Sequence, residues 1–308
     1  MNIKNKNISF SLEKGNLLSF LLVLPTLFIV FVVMIIPLFY GVFISLFNYD
    51  IGRTLTAGDF IGLGNYLRFF KDEIMLKSIA NTIIFAISAT AGDLIIGTLI
   101  AVLLLKIKPK VRGLLRAVYT MPLLISPIIV GLIWKYMYDP SSGFLYWILG
   151  LFGISIDQFP GITATSTALL SVIIAHWWQI TPFVIIVVTA GLVSIPNEYY
   201  EAAHIDGAGE IRTFFCISLP LLIKVYMVIF IVSGVDTVKV FDIIYSLTQG
   251  GPASSTMSLS IYAYKNGFEM YRMRYAMAIA VFTMLVSFII FGIPFIKFGI
   301  QSNQRKEA

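Results

Sequence analysis

Residues 17–47 read LLSFLLVLPTLFIVFVVMIIPLFYGVFISLF, a run of 31 residues without a charged side chain. An α-helix rises about 1.5 Å per residue, so about 20 residues cross the roughly 30 Å of bilayer hydrocarbon. The run exceeds the apolar core of a signal peptide, which has about 7–15 residues, and no small-residue cleavage pattern follows it. We therefore predict that it forms a retained first membrane span.

Five further segments have the length and the apolar content of a membrane span. Together with the first, the predicted spans are Leu18–Phe47, Ile79–Leu105, Ala117–Tyr138, Ala168–Ile195, Pro220–Phe241 and Ala276–Ile296. Alternating apolar and polar residues with turn signals, the pattern of a β-barrel, are absent from the sequence. Helices satisfy their own backbone hydrogen bonds in lipid, so we expect an all-α, polytopic transmembrane bundle of about six spans.

The overall composition also indicates a membrane protein. Of the 308 residues 58% are hydrophobic and 12% are charged, and the mean hydropathy is +0.89. Charged residues make up about a quarter of soluble domains. The net charge of +6 comes from short basic clusters between apolar runs, a pattern typical of chains oriented in a bilayer, so we expect no nucleic-acid partner. The single cysteine, Cys216, excludes an intrachain disulfide and a Cys/His metal cluster.

The loop charges predict the orientation of the chain. The loop after the second span carries no acid and five basic residues, namely Lys106, Lys108, Lys110, Arg112 and Arg116, whereas residues 139–167 contain no Lys or Arg. By the positive-inside rule the basic loop is cytoplasmic. Basic residues also mark both termini, namely Lys4, Lys6, Lys14, Lys297, Arg305 and Lys306. We predict a cytoplasmic N-terminal segment (1–16), a transmembrane domain (17–300) and a cytoplasmic tail (301–308).

A polar segment lies on the predicted cytoplasmic side before the fifth span. Residues 196–220 read PNEYYEAAHIDGAGEIRTFFCISLP. Pro196 suits a first helical position, and Gly207 can adopt the left-handed conformation that ends a helix. A second helix can run from Ala208 to Pro220. The small and apolar residues in this segment predict two short helices that dock against another protein.

The same segment carries a recognisable motif. Glu201-Ala202-Ala203, two residues, Asp206-Gly207-Ala208, eight residues and Ile217-x-Leu219-Pro220 resemble the complete EAA loop of ABC importer permeases. The resemblance implies a coupling loop at about 195–219 that enters a cleft in a separate ATP-hydrolysing subunit. It assigns this coupling role to Glu201, Ala202, Ala203, Asp206, Gly207 and Ala208. The alternative is an amphipathic helix on the membrane surface or a plain connector.

Two further stretches resemble the sugar branch of these permeases, typified by the first maltose permease subunit. They are Thr248-Gln-Gly250-Gly251-Pro252 after Phe241-Asp242, and Asn81-Thr82 in the second span. This resemblance implies a second, homologous but distinct permease subunit, a dimer of ATP-hydrolysing subunits and an extracytoplasmic solute-binding protein. It also implies a multi-pass location in the bacterial plasma (inner) membrane. Val225 departs from the pattern, because a second proline often stands at its position.

The chain itself has no sequence feature of an ATP-hydrolysing enzyme. A loop that cradles nucleotide phosphates needs glycines followed by lysine, and no Gly-Lys pair occurs. The histidines His176 and His204 are separated by a long span, and the sequence shows no nucleophile elbow or paired carboxylate site. We therefore expect no catalytic residue and no cofactor or metal in this chain, with ATP and Mg²⁺ used by a partner.

Similarity to the maltose permease subunit also suggests residues along a sugar path. It places Trp178, Gln179 and Phe183 of the fourth span there. Ser233 and Thr237 are the corresponding residues of the fifth span. A Trp pair near a helix end can instead belong to an interfacial aromatic belt.

Charged residues within spans are costly and usually face a bundle interior or a watery cavity. Asp236 and Lys239 are neighbours on one helical face, so Asp236 is either a further path residue or half of a structural ion pair. Asp93 is interpreted as a packing residue or an intersubunit contact.

These observations predict a permease for a sugar or oligosaccharide. A permease for glycerol-phosphate-type or other polar solutes is the alternative. A membrane receptor or channel is a more distant one.

Overall fold

The computed structural model of the chain describes residues 14–50, 52, 56 and 59–299. The basic residues Lys4, Lys6, Arg305 and Lys306 and the predicted tail (301–308) lie outside these residues, as do positions 1–13 of the predicted N-terminal segment. The regular secondary structure of the described residues is helical, apart from one isolated antiparallel bridge between Phe47 and Phe60.

The helices follow one another mostly with short connections, and residues 152–167 and 248–258 form longer ones. The α-helices are Lys14–Val30, Ile36–Ser45, Gly64–Leu67, Glu73–Leu105, Pro109–Thr120, Pro127–Met137, Phe144–Leu151, Ala168–Val193, Asn197–Ile205, Glu210–Thr213, Leu219–Leu221, Ile223–Val238, Asp242–Leu247, Leu259–Tyr264 and Met273–Ser287. Short 3-10 turns cover Arg68–Lys71 and Met121–Leu124, and π-helical turns cover Phe31–Ile35, Phe214–Ser218, Lys265–Glu269 and Phe288–Gly292.

The helices long enough to cross a membrane agree with the predicted bundle. In the described part of the chain four continuous helices qualify by length and apolar composition, namely Phe20–Ser45, Glu73–Leu105, Ala168–Val193 and Met273–Gly299. Two bent pairs also qualify if each pair is one span, namely Pro109–Leu124 with Pro127–Met137 and Glu210–Leu221 with Ile223–Val238. Counting each pair once, we number the spans 1 to 6 in chain order. The first arms of the two bent pairs also include part of the basic loop and part of residues 195–219, which lie outside the predicted spans Ala117–Tyr138 and Pro220–Phe241.

Span 3 is a helix with a break inside the predicted segment Ala117–Tyr138. Its two arms meet at an angle of 101°. The residue before a proline is restricted to extended backbone, and Ser126 before Pro127 has φ −57° and ψ 137°. Ile125 is extended as well, and its carbonyl accepts a hydrogen bond of 3.0 Å from Nε2 of Gln179 in span 4. A side chain from another span therefore satisfies a backbone group that the break leaves free.

Span 5 is bent near the start of the predicted segment Pro220–Phe241, and its helix ends at Val238. The short helix that contains Pro220 ends at Leu221, and the chain bends by 67° before the helix Ile223–Val238. The π-helical turn Phe214–Ser218 directly precedes this short helix. Val225 stands where a second proline often occurs, and the bend lies a few residues before it.

Spans 2 and 4 approach each other closely through glycines. A Cβ atom on Gly92 would lie 2.2 Å from the indole of Trp177, and one on Gly97 would lie 2.6 Å from Val184. Small residues are the usual means by which membrane helices come into close contact. The Trp177 indole N–H also donates a 3.1 Å hydrogen bond to the carbonyl of Ala89. These contacts fix the relative position of the two helices.

Two hydrophobic cores lie at opposite ends of span 2. One core surrounds the start of this helix and includes Phe69, Met75, Tyr138, Tyr262 and Tyr275. The other surrounds its end and includes Leu104, Leu192, Ile195 and Leu222. None of the most apolar stretch of span 1 is buried within the chain, so this helix is available to lipid or to another subunit.

Candidate functional site

The predicted bend in the polar segment is formed by a glycine in the left-handed conformation. The helix Asn197–Ile205 ends before Gly207, which has φ +73°. The Gly207 N–H donates to the carbonyl of His204 at 3.1 Å, and the Ala208 N–H donates to that of Ala203 at 2.9 Å. This paired arrangement satisfies the last carbonyls of the helix, and the left-handed conformation predicted for Gly207 is confirmed.

The two helix starts differ slightly from the prediction. Pro196 has extended backbone, so the helix begins one residue later, at Asn197. The second helix begins at Glu210 rather than at Ala208, because Gly209 is extended, with φ −70° and ψ 165°.

The first short helix is anchored to the rest of the chain. The Tyr200 ring packs against the core at the end of span 2, and its hydroxyl lies 3.2 Å from Oγ of Ser218. Ala203 is buried, with 7% of its surface exposed. The side chain of Ala203 therefore packs inside this chain, whereas Glu201, Ala202, Asp206 and Gly207 are exposed and Ala208 is half-buried.

Two isoleucines project on either side of the bend. Ile205 is 87% exposed and Ile211 is 77% exposed, although both lie in a polar segment. The sequence motif does not include Ile205. Ile205 faces outward because Tyr200 and Ala203 of the same helix pack against the rest of the chain.

An ion pair connects this segment to the basic loop. The Lys106 ammonium, directly after span 2, contacts the Glu210 carboxylate at the start of the second short helix. Both side chains are more than half exposed, so the pair contributes little to stability. It shows, however, that the end of span 2 and the bent segment lie at the same end of the molecule.

Asp93 is buried inside the chain. Its carboxylate lies 3.2 Å from Nε2 of His176 and accepts a 3.1 Å hydrogen bond from the Thr181 hydroxyl. Asp93 has no exposed surface. Of the two interpretations of this residue, packing within the chain is confirmed and an intersubunit contact is wrong. The pair with His176 was not predicted, although an acid in one span and a histidine in another are a signal for such a pair.

Three of the predicted path residues are buried within this chain. Gln179 is 4% exposed and holds the break in span 3. Ser233 and Thr237 are 5% and 0% exposed, and the Thr237 hydroxyl lies 3.3 Å from that of Thr90 in span 2. The structure does not bring these two hydroxyls to one surface with Asp236.

The other predicted path residues have accessible surface. Trp178 is 40% exposed and packs edge-on against Trp134, and Phe183 is half-buried. Asp236 and Lys239 form an ion pair of 2.9 Å, with side chains 64% and 62% exposed. This pair is therefore on an open face of the single chain and not in its core.

The described residues contain no group of three or more His, Cys, Asp or Glu side chains that could hold a metal ion. Cys216 is exposed and unpaired.

The chain has relatives and structural neighbours among transport proteins. Residues 93–295 match the family described as binding-protein-dependent transport system inner membrane component. The chain is 37% identical to the trehalose/maltose transport system permease protein MalF of Thermococcus litoralis, over 89% of this chain and 91% of that protein. It is 34% identical to the multiple sugar-binding transport system permease protein MsmF of Streptococcus mutans, over 83% and 85% of the two chains.

A solved structure has the same fold. It is that of a bacterial ABC transporter involved in the import of the acidic polysaccharide alginate, with a TM-score of 0.77 and 21% identity over 95% of this chain and 96% of that chain. The membrane spans of the chain fit a membrane component of a transport system. With the family match and these relatives, the chain belongs to the family of inner membrane components of binding-protein-dependent transport systems.

Proposed function

We propose that this permease conducts a sugar or oligosaccharide and is coupled to a separate ATP-hydrolysing subunit through residues 195–219. The observation that carries the proposal is the bend at Gly207 with Ile205 and Ile211 exposed beside it. Exposed apolar side chains in a polar segment outside the lipid are expected to contact another protein. The sugar follows from the relatives, which include permeases for trehalose/maltose and for multiple sugars.

The remaining parts of the transporter are supplied by partners. A second, homologous but distinct permease subunit completes the path, and an extracytoplasmic solute-binding protein delivers the sugar. A dimer of ATP-hydrolysing subunits binds ATP and Mg²⁺, since this chain has no phosphate-binding loop. In this arrangement the basic loop and residues 195–219 face the cytoplasm.

The coupling proposal is tested by Ile205→Asp, with Phe152→Asp as the matched control. Both side chains are exposed, at 87% and 76%, so neither change disturbs the core of the chain. We expect Ile205→Asp to reduce copurification of the ATPase and sugar uptake, because it places a charge in an apolar contact. The Phe152→Asp control should retain both ATPase copurification and sugar uptake. If the Ile205 variant copurifies and transports as the unmodified chain does, another loop couples the two subunits.

For the translocation path we propose that the exposed residues contact sugar and the buried ones position the spans. Trp178 and Asp236 present an aromatic ring and a carboxylate on open surfaces. Gln179, Ser233 and Thr237 act on the path only through the helices that they hold.

Trp178→Ala, with Trp147→Ala as the control, tests this assignment. Trp147 is 63% exposed in the helix Phe144–Leu151, in the loop predicted to be external. We expect uptake to fall for the Trp178 variant alone, in a complex that still assembles. Ligand binding to the cognate solute-binding protein identifies the substrate: a glycerol-phosphate-type ligand in place of a sugar would contradict the sugar assignment.

A further inference from the structure

A cluster of positive charge lies at the end of the molecule opposite the bent segment. A cleft of about 440 Å³ is lined by Arg68, Lys71, Asp72, Arg272, Arg274 and Tyr275, and we call this site the basic pocket. Span 2 begins beside it at Glu73 and ends at Leu105, next to the Lys106 ion pair with Glu210. Under the proposed orientation the basic pocket is therefore extracytoplasmic, on the side where basic residues are usually scarce.

Among the described residues, the one acid that lines the basic pocket forms no ion pair with its cations. One oxygen of Asp72 accepts hydrogen bonds from the Tyr262 and Tyr275 hydroxyls at 2.6 and 2.8 Å, and the other accepts from the backbone N–H groups of Ile74 and Met75. Partial burial raises the pKa of the Asp72 carboxyl, but these hydrogen bonds outweigh it and hold the pKa below its ordinary value. The hydrogen bonds of the Asp72 carboxylate thus come from neutral hydroxyl and backbone N–H groups and not from the cations of the pocket.

Three of the four cations remain available. Arg274 contacts the Asp50 carboxylate at 3.4 Å and the Asn48 side chain. Arg68, Lys71 and Arg272 are exposed, and they form no ion pair with any residue that the structure describes. Exposed cations gathered around one cleft attract a partner with negative charge.

The length of span 2 indicates which kind of partner reaches this site. From Ile84 to Leu105 the only charged residue is the buried Asp93, and these residues span about 33 Å, the thickness of the hydrocarbon. Asp72 precedes Ile84 by twelve residues, or about 18 Å of helix, and it precedes Ile79, the start of the predicted span, by seven residues, or about 10 Å. The polar headgroup layer is only about 5–8 Å thick on each side. The basic pocket therefore stands above the lipid headgroups, within reach of a protein.

The charge and position of the basic pocket point to an electrostatic docking site for an acidic surface of the solute-binding protein, with Arg68, Lys71 and Arg272 as the contacting cations. This inference rests on the proposed function, which supplies the partner and the orientation. Such a site steers the loaded binding protein to the transporter and fixes its orientation. It predicts an acidic patch on the cognate binding protein where that protein meets this subunit.

The experiment measures binding of the purified solute-binding protein to the assembled transporter in nanodiscs of zwitterionic lipid, over a range of salt concentrations. The test variant is Lys71→Glu with Arg272→Glu. The control is Lys135→Glu, an exposed lysine in the last turn of Pro127–Met137, outside the cleft. We expect the double variant to raise the Kd about tenfold at low salt and to flatten its salt dependence, with no change for the control. A second double variant, Lys71→Gln with Arg272→Gln, should show a smaller loss in the same direction.

Several results would overturn the inference. One is an unchanged Kd and salt dependence in a double variant that still copurifies with its ATPase. Another uses nanodiscs that contain anionic phospholipid. If the double variant binds less of this lipid but binds the solute-binding protein as before, the pocket is a lipid site. If even the unmodified transporter binds no solute-binding protein, the proposed function fails together with this inference. If the unmodified transporter binds and both double variants bind equally well, only this inference fails.

Discussion

Gly207→Ala isolates the contribution of one backbone conformation to coupling. Gly207 has φ +73°, and a Cβ atom built on it would meet no atom within 4 Å. The substitution therefore introduces no steric contact, and its whole cost is that of holding a residue with a Cβ in the left-handed region.

That cost is about 1–2 kcal/mol for an L-residue. Because 1.4 kcal/mol corresponds to about tenfold in an equilibrium constant, the bent conformation should become roughly tenfold less favoured relative to a frayed one. Gly207→Pro should cost more, because the ring fixes φ near −65° and removes the N–H that donates to His204.

Hydrogen exchange on the purified complex measures this directly. The amide of Ala208 donates to the carbonyl of Ala203 only when the bend is formed, so its exchange should be about tenfold faster in Gly207→Ala. Gly113→Ala is the control, since Gly113 lies within the exposed helix Pro109–Thr120 and also has open space at its Cβ. Equal exchange at Ala208 and equal ATPase coupling in both variants would refute the role assigned to the bend.

Three further outcomes are expected. Reporters fused after Arg112 or Glu210 should be cytoplasmic, and those fused within residues 141–158 external; an external fusion after Glu210 would contradict the coupling assignment. Asp236→Asn should abolish uptake in a normally assembled complex, because an ion pair this exposed contributes only about 0–1 kcal/mol to stability; poor assembly that Lys239→Met rescues would show a structural pair instead. Gly92→Ala should lower the thermal stability of the purified subunit, because the added methyl would overlap the Trp177 indole; an unchanged melting temperature would show that spans 2 and 4 adjust.

Much of the fold could be predicted because membrane spans are encoded locally. A run such as residues 17–47 satisfies its length and charge requirements without reference to any other part of the chain. The bend at Gly207 is equally local, since it depends on one residue that tolerates positive φ. Such features were visible in the sequence.

The breaks in the spans were not predicted, because they depend on contacts between helices. Pro122 and Pro127 flank the break in span 3 and were an available signal, but an apolar run alone reads as a continuous helix. The free Ile125 carbonyl is satisfied by Gln179, which is 54 residues away in sequence.

The burial of Ser233 and Thr237 was also not predicted, because it too depends on contacts between helices. Ser233, Thr237 and Asp236 share one helix, and their spacing alone suggested a common face. Only the packing of span 5 against span 2 separates the buried hydroxyls from the exposed carboxylate.

The unbroken helix of span 2 has a mechanical consequence. Its 33 residues form a rod about 50 Å long, with the basic pocket at one end and the Lys106 contact to the bent segment at the other. Helices of this kind transmit displacement with little internal deformation, whereas the bends in spans 3 and 5 give those spans a place to hinge. A tilt of about 5° moves one end of such a rod by about 4 Å relative to the other. Span 2 can therefore act as a lever, so that an event at one face of the membrane displaces side chains at the opposite face.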